Sequence, residues 1–333
     1  MRLAVVTLLL IPGSVLAGDG VLTNDPKLQI PTPFVVRDQN PLLAGFGLPA
    51  AMPSRLPLRL SGGVDLYWGS TAISQARGDE ALLVDAETRE ARLTLQGSFD
   101  AFNKSRLGWQ LQLPYRYTGG GTLDGFIDSW HDTFGLPGGA RSELPRDQIN
   151  ITYARGGLRR LDFDSSASGI GDIQAAIGYQ LPTSDVSALT AWMTIKLPTG
   201  DADKLTGSGG TDVSLLLAGQ RRLTQRWTVF GQAAATYLSD GDLLPDQQRR
   251  VVWSGMTGAA VRAWRGLSFK AQIDAHTAAY DSELDFLSDA VVLTLGGDYL
   301  FESGWRLDVG VSEDIAVEHS PDVVFVLGIK QSW

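Results

Sequence analysis

The chain reads as an all-β protein, an antiparallel transmembrane β-barrel of about 12 strands. From Leu58 to the C-terminus, segments of 9 to 13 residues alternate apolar and polar side chains, the period of a strand with one apolar face. The links between these segments are short and long in strict turn. Aromatic residues gather at the ends of the segments rather than in their middles. Composition permits this reading: mean hydropathy is -0.01, with 44% hydrophobic and 20% charged residues. Strands that alternate lipid-facing and lumen-facing residues average to neutral hydropathy, whereas a membrane helix needs about 18 or more consecutive apolar residues. No such run follows the N-terminus.

Residues 1–17 have the form of a signal peptide. Arg2 supplies the positive start, Leu3–Ile11 the short apolar run, Pro12, Gly13 and Ser14 the break, and Val15-Leu16-Ala17 the cleavage positions. Residues 18–57 hold seven of the 15 prolines. Proline lacks a ladder donor, so this stretch is an irregular N-terminal segment and not a paired strand. Two placements are open to it, the periplasm or the barrel lumen. Phe34, Leu42, Leu43, Phe46 and Leu48 require part of it to pack.

The barrel is expected over residues 58–333. Leu58, Leu60, Val64, Leu66 and Trp68 alternate with Arg59, Ser61, Asp65 and Tyr67, and Ala91, Leu93 and Leu95 with Arg92, Thr94 and Gln96. Ten further segments follow, the last from Val323 to Trp333. Short turns at Asn103–Arg106, Pro182–Ser187, Thr224-Gln225, Trp264–Gly266 and Glu302–Gly304 fit the periplasmic end. Longer polar links, including Ser70–Arg89 and Thr118–Gly169, fit the outer end. Trp109, Trp227, Trp264, Trp305 and Trp333 then form one aromatic girdle, and Trp68, Tyr115, Tyr117, Tyr237 and Tyr280 the other. The last strand carries Phe325, Leu327 and Ile329 in step with the terminal Trp333, the form of a sorting signal for the barrel-insertion machinery. Such a protein has outer-membrane lipid as its first partner.

Within the link Thr118–Gly169, Leu123, Phe126, Ile127, Trp130 and Phe134 recur at helical spacing, and Gly135-Leu136-Pro137 ends the helix. This short helix is a candidate lumen plug or cap formed by Phe126, Ile127, Trp130 and Phe134; resting on the membrane surface and packing that stabilises the loop are the alternatives. A hairpin follows at residues 149–163. Its arms are shorter than the roughly 9–11 residues a spanning strand needs, which keeps it outside the membrane; if it inserted, the strand count would be 14.

Arg37–Leu42, Phe46–Pro49, Ser129–Asp132, Phe134–Pro137, Pro145–Asp147, Ser168–Asp172, Lys196–Asp201 and Lys204–Gly209 together resemble an uncharacterised family of Gram-negative outer-membrane barrels bearing a domain-of-unknown-function label. A looser likeness, in Gly171–Leu181 and the Leu-Pro-Thr-Gly stretch, is to barrel transporters linked to aromatic-compound degradation. Both imply a barrel, and neither implies catalytic residues.

The remaining residue types narrow the function. A net charge of -9 lacks the basic footprint of a nucleic-acid binder. The absence of Cys excludes disulfides, lipid attachment at a thiol and thiol catalysis. His131, His276 and His319 have no nucleophile motif beside them, and Asp201, Asp203 and Asp212 do not match a calcium-loop spacing, so neither an enzyme nor a metal or cofactor site is expected. The lumen face mixes signs in Arg59, Arg92, Arg116, Asp172, Lys196, Lys270, Asp274 and Arg306. Such a lining suits either a channel for a small solute or a barrel sealed by its own chain.

Overall fold

A computed structural model of the protein describes residues 30–57, 59–99, 106–123, 125, 129, 147–315 and 318–333. The expected signal peptide lies outside these residues, as do Phe126, Ile127, Trp130 and Phe134 of the loop helix. Strands β1 (Ser61–Arg77), β2 (Glu80–Ser98), β3 (Leu107–Gly119), β4 (Asn150–Arg155), β5 (Leu158–Phe163), β6 (Ala167–Ile170), β7 (Gln174–Gln180) and β8 (Ser187–Lys196) make the first half. Strands β9 (Asp212–Arg222), β10 (Trp227–Tyr237), β11 (Val251–Arg262), β12 (Leu267–His276), β13 (Ala290–Leu300), β14 (Arg306–Asp314) and β15 (Val323–Ser332) complete the chain.

Twelve of these strands close into one antiparallel ring, with β3 followed by β7 and β15 returning to β1. Closure removes both sheet edges, which hydrocarbon does not tolerate. β6 prolongs the line of β7: it pairs with Tyr115–Thr118 of β3, while β7 pairs with Leu107–Gln112. The break lies beside Pro114, which has no N–H for the ladder. The hairpin β4–β5 stands beyond the ring and pairs only with Glu80–Asp85 of β2, so the ring has 12 strands and not 14.

Around the belt of the barrel the apolar side chains point outward. Leu66, Leu93, Leu111, Leu215, Leu295 and Leu327 are all exposed at the protein surface, the arrangement of a membrane barrel's outer face. Their neighbours of opposite parity, among them Asp65, Arg92, Gln232, Lys270 and Asp308, are buried inside. The girdles follow the expected edges for Trp227, Trp264, Trp305 and Trp333, and for Trp68, Tyr115 and Tyr237, all exposed. Tyr280 departs from that pattern. It is fully buried, and its hydroxyl donates to Leu42 O at 2.7 Å.

The outer end is more regular than expected. Ser70–Arg89 is not an irregular link: β1 and β2 run on to a two-residue turn at Gly78-Asp79, with Gly78 at φ 59 in the left-handed region where glycine is unstrained. Beyond the membrane band, β1, β2, β4 and β5 form a sheet whose inner face carries Ile73, Leu82, Val84, Ile151, Tyr153 and Phe163. These pack on Tyr280, Leu284, Phe286 and Leu287 from the β12–β13 link and on Leu42, Leu43 and Phe46 from the N-terminal segment. The outer mouth is therefore closed by a hydrophobic core of the kind found in water-soluble domains.

On the outside of the wall, Glu87 is buried beneath the start of the long loop. It accepts the indole N–H of Trp68, the guanidinium of Arg89 and the backbone N–H groups of Thr122 (2.6 Å) and Leu123 (3.1 Å). Leu123 packs on Val323, with Val311 and Phe325 beside it, all of outward parity. The described start of the helical stretch thus lies against the membrane side of the barrel. Gly125 and Ser129 are its described helical residues, and Ser129 Oγ donates to Gly125 O at 3.0 Å.

Candidate functional site: the occupied lumen

The N-terminal segment folds up into the barrel. Ile30 and Thr32 meet Arg306 and Lys270 at the end with short turns. The chain climbs along β12 to a knot of tight turns at Asn40–Phe46, then descends along β10, β9 and β8 to Leu56. Both arms are short of backbone partners because of their prolines, and the wall supplies side-chain partners instead. Gln272 accepts from Phe34 N (2.8 Å) and donates to Phe34 O (3.2 Å). Gln232 accepts from Met52 N (2.8 Å) and donates to Ala50 O (3.1 Å). Gln180 accepts from Leu56 N (2.7 Å) and donates to Ser54 O (3.2 Å). A primary amide has the same donor–acceptor pair as a peptide, so each glutamine replaces one rung of a ladder. Trp192 Nε1 and Thr190 Oγ1 add bonds to Pro53 O and Ser54 O, both at 2.8 Å.

Three charge clusters hold the turns and the ascending arm. Lys196 contacts Asp172 (2.8 Å), Asp212 (3.2 Å) and Gly45 O (3.2 Å), and Asp212 also accepts from Gly47 N at 2.7 Å. A Cβ at Gly45 would lie 2.7 Å from the backbone of Gly207, so only glycine lets the segment approach that closely. Arg37 donates to the carbonyls of Ala44 (2.6 Å), Phe46 (2.8 Å) and Leu48 (3.0 Å), tying the descending turn to the ascending arm. Near it, Glu90 lies between Arg92 and Arg116, with Arg116 Nε at 2.6 Å. At the short-turn end Lys270 bonds Asp308 and stands 3.9 Å from the centre of the Phe34 ring, a cation–π contact. The motifs around residues 37–49, 168–172 and 196–209 meet at the first of these clusters.

The eight lumen residues proposed from sequence divide accordingly. Arg92, Arg116, Asp172, Lys196 and Lys270 are buried against the segment or its anchoring clusters, and Arg306 touches Thr32 and Ile30. Asp274 is half-buried and accepts from Gln272 at 2.9 Å. Arg59 is exposed just before β1, in step with the inward Ser61 and Asp65. The glutamine clamps, Trp192, Glu90 and Asp212 were not among the candidates. The signal that finds them is parity: each occupies an inward position of its strand. Phe325, Leu327 and Ile329 stand on the outward face of β15, and Trp333 is exposed at its end.

Space for water remains among the described residues of the lumen. A cavity of about 30 Å³ lies between Arg37, Asp38, Asp274 and His276, room for about two waters. His276 there places Nε2 3.0 Å from Asp38 and Nδ1 3.0 Å from Thr277 O, joining the segment to β12. His319 Nδ1 lies 2.7 Å from Asp289 O and 3.0 Å from Ser288 Oγ. The carbonyl requires Nδ1 to carry the proton, and Ser288 Oγ donates to Asp285 O (2.8 Å), so the pair is not arranged as base and nucleophile. His131 lies outside the described residues. Asp201 caps a 3-10 turn and pairs with Lys204 at 3.0 Å, far in role from Asp212 beneath Lys196.

Among solved structures the barrel is similar to the COG4313 outer membrane channel from Pseudomonas putida F1, at 17% identity and a TM-score of 0.58, covering 84% of this chain and 97% of that one. The toluene transporter TbuX of Ralstonia pickettii superposes with a TM-score of 0.43 at 10% identity, over 84% of this chain and 91% of that one. The KdgM porin gives 0.43 at 8%, over 81% and 99%. No curated protein matches the chain. The closed ring of 12 strands with a lipid-facing belt is that of an outer-membrane barrel, and the model of the family described as "Protein of unknown function (DUF3187)" matches residues 21–333, so the chain belongs to that family.

Proposed function

We propose that the protein is an outer-membrane channel for small solutes, held closed by its own segment Ile30–Pro57, and not an enzyme. The observation that carries this is the pairing of wall and segment. The wall presents amides, carboxylates and cations that suit a wet passage, and the segment binds to glutamines, Lys196 and Asp212 among them without adding a strand to the sheet. A twelve-stranded barrel is wide enough to need filling, and a segment bound by side chains is a removable filling. Export through a signal peptide cleaved near Ala17 and insertion guided by Phe325, Leu327, Ile329 and Trp333 belong to the same reading. The resemblance of the neighbours, a channel, a transporter and a porin by name, accords with it. The hydrophobic core over the outer mouth favours a second reading, a permanently sealed barrel with a structural or partner-binding role.

Conductance in planar bilayers separates the two. The intact protein conducts weakly, and Gln232→Leu with Gln272→Leu, or removal of residues 30–57, raises conductance several-fold while the folded barrel keeps its fast gel mobility before heating. Unchanged conductance in a folded barrel lacking the segment means that the cap is the barrier, and the sealed reading then replaces the channel.

A further inference from the structure

The segment Ile30–Pro57 contains a single carboxylate, Asp38. It stands on the ascending arm just before the knot of turns, and one of its oxygens accepts from Asn40 N at 2.8 Å. The other lies 3.0 Å from Nε2 of His276, the last residue of β12. The second ring nitrogen, Nδ1, lies 3.0 Å from Thr277 O. Both side chains are buried, the imidazole 7% and the carboxylate 4% exposed.

These contacts fix a proton count. A carbonyl oxygen only accepts, so Nδ1 carries a hydrogen. A neutral ring would then turn the lone pair of Nε2 toward a carboxylate oxygen, acceptor against acceptor in a buried site, which is costly. The contact is a hydrogen bond only when one further proton lies between the two groups, and the imidazole, the stronger base, takes it. The closed lumen therefore holds a proton that a solvated imidazole, with a pKa of about 6.5, releases in neutral water.

The surroundings make that proton decisive. Asp274 of β12 and Arg37 of the segment line the same cavity of about 30 Å³ as the pair. Arg37 already donates to the carbonyls of Ala44, Phe46 and Leu48. Asp289, on the β12–β13 link, is also near the ring, and its carboxylate accepts from Ala278 N at 2.8 Å. The residues that β10, β11 and β13 bring to the cavity, among them Gln232, Ser254, Met256 and Val292, are uncharged. With its proton, His276 offers Asp38 a cation from the wall. Without it, Asp38 meets a neutral ring and shares its cavity with the carboxyl group of Asp274.

We propose that the His276–Asp38 pair is a proton-operated latch, which holds the ascending arm to the wall while it keeps its proton and releases the arm as the pH rises. The inference deepens the reading of Ile30–Pro57 as a removable filling and rests on it. Its direction follows from linkage. The closed state binds a proton that the released state gives up, so each pH unit above neutrality shifts the balance toward release by up to about tenfold.

Amide exchange on the full chain in detergent, corrected for the intrinsic pH dependence of exchange, tests this between about pH 6 and about pH 9. Exchange at residues 38–46 accelerates at least about tenfold over that range while β12 stays protected. His276→Gln keeps a neutral donor toward Asp38 and abolishes the acceleration, whereas Asp274→Asn leaves it in place. Nitrogen NMR of the histidine rings, with His276 assigned by its loss in the variant, shows both of its nitrogens protonated at about pH 7.5. A neutral His276 ring at that pH overturns the latch, as does an acceleration that survives His276→Gln or vanishes in Asp274→Asn. Bilayer currents separate the latch from the channel. Conductance that grows with pH in the intact protein and not in His276→Gln supports both. No conductance at any pH, with the exchange step present in the intact chain and absent from the variant, removes the channel and leaves the latch. Conductance with no exchange step removes the latch and leaves the channel.

Discussion

The lower and upper halves of β1 and β2 are one continuous hairpin in two solvents. In the membrane belt Val64, Leu66 and Trp68 of β1 and Leu93 of β2 face outward and are exposed. Above the belt Ile73, Leu82 and Val84 face inward and are buried almost completely. The apolar side of each strand therefore changes face at the membrane boundary. Below it, lipid receives apolar side chains and the polar ones turn to the lumen. Above it, water lies outside and the apolar side chains collect in a core. The same ladder tolerates both because hydrogen-bond register is indifferent to which face is wet.

Five substitutions sharpen this difference. The largest effects are expected at the boundary and in the cap. Lys196→Met leaves Asp172 and Asp212 buried without their cation, a loss of about 3–5 kcal/mol, read from urea unfolding in detergent. Phe286→Ala opens a cavity in the cap core, where truncating a buried Phe costs about 3–5 kcal/mol. Its signature is protease cleavage of the outer loops while the belt stays folded. If cleavage and belt unfolding coincide, cap and belt are a single cooperative unit. In the belt, Leu295→Arg places a charge in lipid for about 2–4 kcal/mol, whereas the inward Thr294→Ser is mild. Equal tolerance at the two positions contradicts the assigned faces. The smallest of the destabilising effects belongs to Gln232→Leu, which removes the hydrogen bonds to Met52 N and Ala50 O at a net of about 0.5–1.5 kcal/mol each. Amide exchange at Met52 should accelerate while exchange in β10 stays slow.

The belt was legible because twelve segments repeat one alternation and the short turns fall on one side. The cap was not. At Ser70–Arg89 the apolar positions shift parity, from Leu66 and Trp68 to Ile73 and from Leu82 and Val84 to Leu93, and a search for one constant phase reads a phase change as a loop. Tyr280 was assigned to a girdle for the same reason, an aromatic near a strand end that the cap has taken into its core. The segment at residues 18–57 was half legible. Its prolines excluded a strand, and Phe34, Leu42 and Phe46 required burial, but the choice between periplasm and lumen depends on the glutamine clamps, which are uncharged and distant in sequence. The loop helix invited a plug by its apolar stripe; Phe126, Ile127, Trp130 and Phe134 lie outside the described residues, and the described Leu123 sits on the outward side of the wall, against Val323.

The N-terminal segment is a loop within a loop: it comes in beside Arg306 and leaves beside Gln180, at the same opening. Topologically it is inserted rather than threaded. Among the described residues no strand pair has to part for it to be pulled out, since side-chain bonds and its junction with β1 tie it to the ring. Assembly faces the same geometry in reverse. The segment precedes every strand in the chain, and the seam between β1 and β15 is the last that can form by sequence order. A chain that zipped shut first would still have a route for its segment to enter, through the periplasmic mouth. Closing and filling the barrel are thus separable events, and a slow second phase in refolding, seen by a fluorescent reporter on the segment after the barrel has acquired its gel mobility, is their expected trace.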